Sequence, residues 1–409
     1  MAGVAGDARR PKHSMNVLLW RGWRPAFDEG VTYTTLHGRG IGGTEMQMLW
    51  HAQHLAAAGH RVQILGATCG DVLERGVDFI GASDRSDQAA AIVGGRVSRP
   101  DLILLEGAYH AASSLKESFP GAAIVHVGQN IDAHADRAAF AQARHIDLYA
   151  FVGLGHFADY CARWPQLRHK FIVLRNAVPW EEFHGRVPPM GIEDKVTWVG
   201  SWTKKGLRIW CEVMESVFQR RPTLRWVLCG PAYGSAEPVM PRHLTWGLDL
   251  PRDRITCSTL PLPALLREIA TSRAVLVSFG NECGPGSILD AHAMARPAIS
   301  GNDMVYKFAN PEGTGLRAST AAEALGCLDF LLDEPAVGDA FGQAGRSFVL
   351  DEYREDRQKN DLDRLVAYVE SGVLRRAIAL TRARYRWRER LEDLLDRRAR
   401  RWRTFRAKA

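Results

Sequence analysis

The stretch Ala274–Ser300, AVLVSFGNECGPGSILDAHAMARPAIS, decides the reading of this chain of 409 residues. Ala274–Phe279 is a short apolar run, the pattern of a strand buried on both faces of a sheet. A turn rich in Gly and Pro follows, and then a segment of helical character that stops at Pro297. Two carboxylates stand at the seam, Glu282 in the turn and Asp290 one helical turn in. Between them Gly284, Gly286 and Ser287 leave backbone N–H groups bare at a helix N-terminus, where orphan donors and the helix dipole favour an anion such as a phosphate. Backbone amides for a diphosphate, flanked by carboxylates for hydroxyls, suit a nucleotide sugar. Ser287-x-x-Asp290 is also a capping box in its own right, a purely structural reading compatible with the first.

Outward from this stretch, apolar runs alternate with helical segments. Asn16–Trp20, Val62–Leu65, Asp101–Leu105, Ala122–Val127, Ala150–Val152 and Phe171–Leu174 read as strands of a first unit. Val196–Val199, Trp226–Cys229, Ile255–Thr256 and Pro297–Ser300 join Ala274–Phe279 in a second, after a Pro-containing linker near 178–192. Such alternation predicts α/β architecture with two Rossmann-like, doubly wound parallel sheets, whose ligands bind beyond the carboxyl ends of the strands. The expected divisions are an extended, disordered segment over 1–14, a first domain over 15–180, a second over 190–374, and a basic C-terminal helix over 375–409 whose first part crosses back onto the first domain.

Several motifs occur in an order that resembles retaining glycosyltransferases of family 4, which have the two-domain GT-B fold. Glu282 and Asp290 match the spacing of that family's E-x7-E, and Ala291, Ala293 and Pro297 match A-x-A-x-G-x-P, with Ala295 where the Gly stands. Gly40-Ile-Gly42-Gly43-Thr44-Glu45 opens a helix over Thr44–Ala58 that ends at Gly59-His-x-Val62, similar to the family's N-terminal G-G-x-E and G-H-x-V. The bare glycines would let a phosphate or sugar approach the backbone; a Rossmann dinucleotide turn and a plain loop are the other readings. Val173-Leu-Arg-Asn176-Ala-Val178 with Phe183 resembles the interdomain I-P-N-G-V-D…F, which gives Asn176 a structural role. Val199-Gly-Ser201-Trp-Thr-Lys204-Lys205-Gly206 resembles V-G-R-L-x-x-x-K-G, whose Arg and Lys clamp the diphosphate; here Ser201 replaces the Arg, and Lys204 could supply the second charge. Leu228-Cys-Gly-Pro231 and Gly313-Thr-Gly-Leu316 resemble further family turns.

What the resemblance implies is a donor site of Gly42, Gly43, Lys204, Lys205, Gly284, Gly286, Ser287 and Asp290, with Asp290 on the nucleotide ribose and Glu282 on donor-sugar hydroxyls. A family histidine near the reacting carbon aligns with either His126 or Gln129. His126 is a core residue if it points into the strand's packing, whereas Gln129 lies past the strand end. Glu106 is a candidate for facing the acceptor. The leaving phosphate takes the acceptor proton, and no metal or cofactor is expected beyond the UDP- or GDP-sugar co-substrate.

Composition narrows the setting. Residues 375–409 hold fourteen Lys/Arg against four Asp/Glu, a net of +10 that leaves −3 for the rest of the chain. The tail's aromatics and arginines read as a solvated helix end, as an amphipathic contact of 397–409 with anionic lipid, or, less favoured, as a nucleic-acid contact. Seven scattered cysteines without C-x-x-C fit a reducing cytoplasm and no zinc site, and no window is apolar and long enough to span a bilayer. The expected function is transfer of a sugar from a nucleotide sugar to a hydroxyl acceptor, lipid-linked or on a cell-surface polysaccharide, by a cytoplasmic enzyme able to sit on the inner face of the membrane. The alternatives are a nucleotide-sugar epimerase, a DNA-base glycosyltransferase and a non-catalytic nucleotide-sugar binder.

Overall fold

The computed structural model describes residues 14–21, 32–33, 43–67, 70–82, 84–106, 109–128, 143–200, 206–230, 247–279, 286–302 and 304–371. The first unit contains β1 (Asn16–Trp20), α1 (Gly43–Ala57), β2 (Arg61–Ala67), β3 (Val72–Glu74), β4 (Val77–Gly81), α2 (Arg85–Val93) and β5 (Leu102–Glu106). It continues with α3 (Ala112–Ser118), β6 (Ala123–Gly128), β7 (Leu148–Phe151), α4 (Leu154–Arg163) and β8 (Phe171–Val173). The second unit runs β9 (Lys195–Val199), α5 (Leu207–Arg220), β10 (Arg225–Cys229), β11 (Ile255–Ser258), α6 (Leu262–Ala270) and β12 (Ala274–Leu276). After it come α7 (Gly286–Ala293), β13 (Ala298–Ser300), α8 (Met304–Ala309), β14 (Gly315–Arg317), α9 (Ala321–Asp333), α10 (Pro335–Glu352) and α11 (Glu355–Glu370).

Two sheets result, eight strands in the order β3-β4-β2-β1-β5-β6-β7-β8 and six in the order β11-β10-β9-β12-β13-β14. This is the GT-B arrangement of two parallel α/β domains. β5 and β6 are buried along their whole length, which is why they are apolar but for Glu106 at the end of β5 and His126 within β6. The described pairings are parallel except for a β3–β4 hairpin at one edge, where Arg75 (φ 51°) and Gly76 (φ 78°) form the two-residue turn. The strand expected over Ala274–Phe279 ends at Leu276, where its ladder with β9 stops at Leu276↔Trp198. The Gly313–Leu316 segment, read as a turn, supplies an edge strand instead. At Gly315 a Cβ would lie 2.4 Å from the Ala298 carbonyl oxygen, so only glycine lets β14 approach β13.

One apolar core crosses the boundary between the units. It runs from Leu49, Leu104 and Val125 on the α1 side of the first sheet, through Val178 and Phe183 of the linker, to Ile288 and Leu289 of α7 and Leu362 and Leu365 of α11. α11 returns to the first unit; the segment from 375, expected to cross back, lies outside the described residues. The Val178 N–H donates to the Tyr353 carbonyl at 2.8 Å, and α11 then lies along α1. Residues 1–13 and 372–409 lie outside the described residues. Among the described residues no helix is long and apolar enough to cross a membrane.

The end of α7 explains one departure from the family motif. Ala295 N–H donates to the His292 carbonyl and Arg296 N–H to the Ala291 carbonyl, both at 2.9 Å, the Schellman pattern in which the left-handed residue is normally glycine. Ala295 takes that position with φ 54°. Across from it α10 packs so closely that a Cβ on Gly342 would lie 2.1 Å from the Ala295 oxygen. Ala295→Gly is therefore expected to stabilise the fold by about 0.5–1 kcal/mol, the relief of a left-handed alanine less the added freedom of the unfolded chain. Gly342→Ala should destabilise it by about 1–3 kcal/mol through overpacking. Denaturant midpoints of the two variants check both signs.

Candidate functional site

Topology locates the site before any side chain does. In the second sheet the chain proceeds outward from β9 through β10 to β11, then returns to β12 on the other side of β9. In the first sheet the same reversal falls between β1 and β5. At such switch points the loops leaving neighbouring strands diverge and open a crevice beyond their carboxyl ends. The helices that follow β7 and β13, α4 and α8, contact each other, so these carboxyl ends face one another across the two units.

At the β9/β12 switch the backbone is packed to the limit. A Cβ on Gly230, after β10, would lie 1.9 Å from the Gly200 carbonyl oxygen, after β9. Gly206 enters α5 with φ 79° and sits against Phe279, whose ring meets Trp210 at 5.1 Å. The Trp210 indole N–H donates to the Val277 carbonyl at 2.9 Å. These contacts bring Gly206, at the start of α5, and Phe279, beyond β12, side by side. Lys204, Lys205, Ser201, Glu282 and Gly284 themselves lie outside the described residues, as do Gly42 and Gln129.

Gly286 and Ser287 form the first turn of α7. Ser287 is its second residue and not its cap, and Asp290 is turned elsewhere. Its Oδ1 accepts a hydrogen bond of 2.8 Å from Nε2 of His184, a linker residue that the sequence reading did not single out. The signal available for His184 was its place directly after the linker's Phe183; nothing in sequence joins it to a residue 106 positions away. α7 is also fixed from behind. His292 is fully buried, and a Cβ on Gly345 of α10 would lie 2.4 Å from its Nδ1. That burial pushes the imidazole pKa down to about 4.

On the first unit, Gly43 opens α1 with Arg21 and Glu45 paired beside it. Glu106, at the end of β5, is fully buried with Oε1 3.5 Å from Nδ1 of His51 on α1. His126 is equally buried, its ring 6.1 Å from that of Tyr109 and 5.9 Å from that of Tyr149. The structure thus brings Asp290, His184 and the start of α7 together at one switch point, and places His126 and Glu106 inside the packing of the first unit.

No protein-family model matches the chain, and no curated protein matches it. Solved structures do. Sucrose-phosphate synthase from Thermosynechococcus elongatus aligns with a TM-score of 0.69 at 16% identity, covering 88% of this chain and 100% of that one. HepE from Anabaena, in complex with UDP and glucose, aligns with a TM-score of 0.65 at 12% identity, covering 86% and 99%. Trehalose-6-phosphate synthase OtsA gives 0.63 at 10% identity, covering 87% and 99%. At these identities the likeness is one of fold.

The depressed His292 sets an acid limit on the fold around the site. The unfolded chain takes up this proton at an ordinary histidine pKa of 6.5, the folded chain only near 4, so stability is unaffected above pH 6.5 and falls as pH drops towards 4. The expected loss from this group is about 3 kcal/mol across that window. His292→Leu should flatten that part of the stability–pH curve, measured by urea unfolding at pH 7, 5.5 and 4.

Proposed function

We propose that this protein is a retaining glycosyltransferase, moving a sugar from a nucleotide-sugar donor to a hydroxyl acceptor. The observation that carries the reading is the packing at the β9/β12 switch point, where Gly206 at the start of α5 lies against Phe279 beyond β12 and the first turns of α7 carry Asp290. Helix N-terminal amides favour a diphosphate, and a part-exposed carboxylate favours hydroxyls. The fold likeness to HepE, which holds UDP and glucose, supports the same assignment.

In this reading Lys204, Lys205 and the amides of Gly42, Gly43 and Gly284–Ser287 hold the diphosphate. Asp290 binds the ribose and Glu282 the donor-sugar hydroxyls. Gln129 attends the reacting centre, and His126, within β6, stays in the packing between Tyr109 and Tyr149. The bond from the anomeric carbon to the phosphate oxygen breaks while the acceptor oxygen bonds to the same face of that carbon. The acceptor proton passes to a phosphate oxygen, and the nucleoside diphosphate leaves. No metal or further cofactor is called on. A lipid-linked or polysaccharide acceptor, met at an anionic cytoplasmic membrane surface through residues 397–409, fits the concentration of charge in the tail.

A screen of UDP- and GDP-sugars for nucleotide release tests the assignment. At least one donor should turn over, faster with its acceptor. Lys205→Ala should lower kcat/KM roughly 10²- to 10³-fold, and Asp290→Ala should raise the donor KM about tenfold or more. Bound donor without turnover would make the protein a non-catalytic binder, and donor epimerised in the absence of acceptor would make it an epimerase.

Truncation after Asp396 should abolish sedimentation with phosphatidylserine vesicles and leave nucleotide release intact. Unchanged sedimentation would remove the membrane contact from the reading, and a steep salt dependence of binding to DNA would replace it with a nucleic-acid contact.

A further inference from the structure

The linker residue His184 stands out because it joins a buried imidazole to Asp290, the carboxylate one helical turn into α7. Its ring is fully buried, whereas the Asp290 side chain keeps 19% of its surface exposed. Nε2 donates to Oδ1 at 2.8 Å, and Nδ1 lies 3.3 Å from the Pro179 carbonyl oxygen. Among the described residues this is the hydrogen bond that the Asp290 carboxylate accepts, which leaves Oδ2 for a ligand.

The turn that carries His184 is itself rigid. A Cβ on Gly185 would lie 2.8 Å from the Trp180 indole nitrogen, so the chain packs down on that ring. The Arg346 guanidinium of α10 covers the same ring at 5.0 Å. The preceding residue, Phe183, meets Trp50 of α1 edge-on at 5.9 Å. Consecutive linker residues thus engage opposite units, Phe183 the helix of the first and His184 the carboxylate of the second.

We propose that His184 is the positioning residue for Asp290, holding Oδ1 so that Oδ2 accepts from the ribose hydroxyls of the donor nucleotide. This rests on the donor-binding reading of Asp290. A carboxylate fixed before the ligand arrives loses less rotamer freedom on binding, and its free oxygen is already aimed. An aspartate suits the device, because its short side chain has one torsion fewer than glutamate to be fixed.

The test uses the full-length protein and calorimetric Kd values for UDP and GDP and for their 2′,3′-dideoxy counterparts. For the base that binds, wild type should favour the ribose form about tenfold. His184→Leu should reduce that preference to within twofold and leave the dideoxy affinity unchanged. His184→Gln, whose amide can donate to the same oxygen, should retain it. His184→Asn, whose shorter amide cannot reach Oδ1, should lose it, which keeps the comparison available if the leucine variant fails to fold. Adding His184→Leu to Asp290→Asn should change nothing further. Equal weakening of both ligand forms would show a merely structural histidine, and preference retained in both His184→Leu and His184→Asn would overturn the proposal. So would a wild type that binds nucleotide without discriminating the sugar, which leaves the donor reading standing. A wild type that binds neither UDP nor GDP would bring down the donor reading, and this proposal with it.

Discussion

The rest of the structure depends on how the Gln47 side chain ends the first sheet. After β8 the chain leaves its ladder and runs into the linker, where a backbone N–H and C=O would be buried without partners. Gln47 of α1 supplies both: its Nε2 donates to the Ala177 carbonyl and its Oε1 accepts from the Ala177 N–H, each at 2.9 Å. A buried peptide group without partners costs about 1–3 kcal/mol, so this amide substitutes for a missing strand. Gln358 of α11 then donates to the same Oε1 and to the Arg175 carbonyl, both at 2.9 Å. Asp361, one turn further along α11, takes the Arg175 guanidinium at 2.8 Å. Helix, linker and returning helix share a single hydrogen-bonded node.

That node fixes what the site needs. Gln47 is one turn from Gly43, where α1 begins, and Trp50 on the same helix meets Phe183. The linker therefore leaves the node in one direction, passes under Trp50, and delivers His184 to Asp290. On the far side, α10 closes on α7 through Gly342 and Gly345, where any side chain would collide with Ala295 or His292. The position of α7 relative to α1 is set by packed side chains and satisfied peptide groups along the whole path, and the continuous apolar core fills the space between.

Local patterns carried the parts of this that are local. Parallel strands buried on both faces are mostly apolar, and such runs are visible in β1, β5 and β6. Gly59, with φ 94°, ends α1 where its position in the sequence says it should. The β3–β4 hairpin escaped because its turn places Arg75 in the left-handed region, which the usual Asn-Gly signature does not cover. β14 escaped because a Gly-Thr-Gly segment looks like a turn until its neighbour's carbonyl shows why Gly315 must be glycine. The Gln47–Ala177 and His184–Asp290 pairs are 130 and 106 residues apart, and no spacing rule reaches that far.

The two positions in and just after α7 that differ from the resembled motif, Asp290 and Ala295, have local physical partners. Ala295 carries its strained φ inside a complete Schellman hydrogen-bond pattern, under the close approach of Gly342. Asp290 has a buried imidazole donating to it, and burying that ring is costly unless its N–H finds an acceptor. A glutamate at 290, one methylene longer, would carry its carboxylate past the position from which Asp290 Oδ1 meets Nε2 at 2.8 Å. The shortened acid and the linker histidine therefore form one fitted unit. In that unit one carboxylate oxygen is fixed by the imidazole, while the Asp290 side chain keeps 19% of its surface exposed on α7.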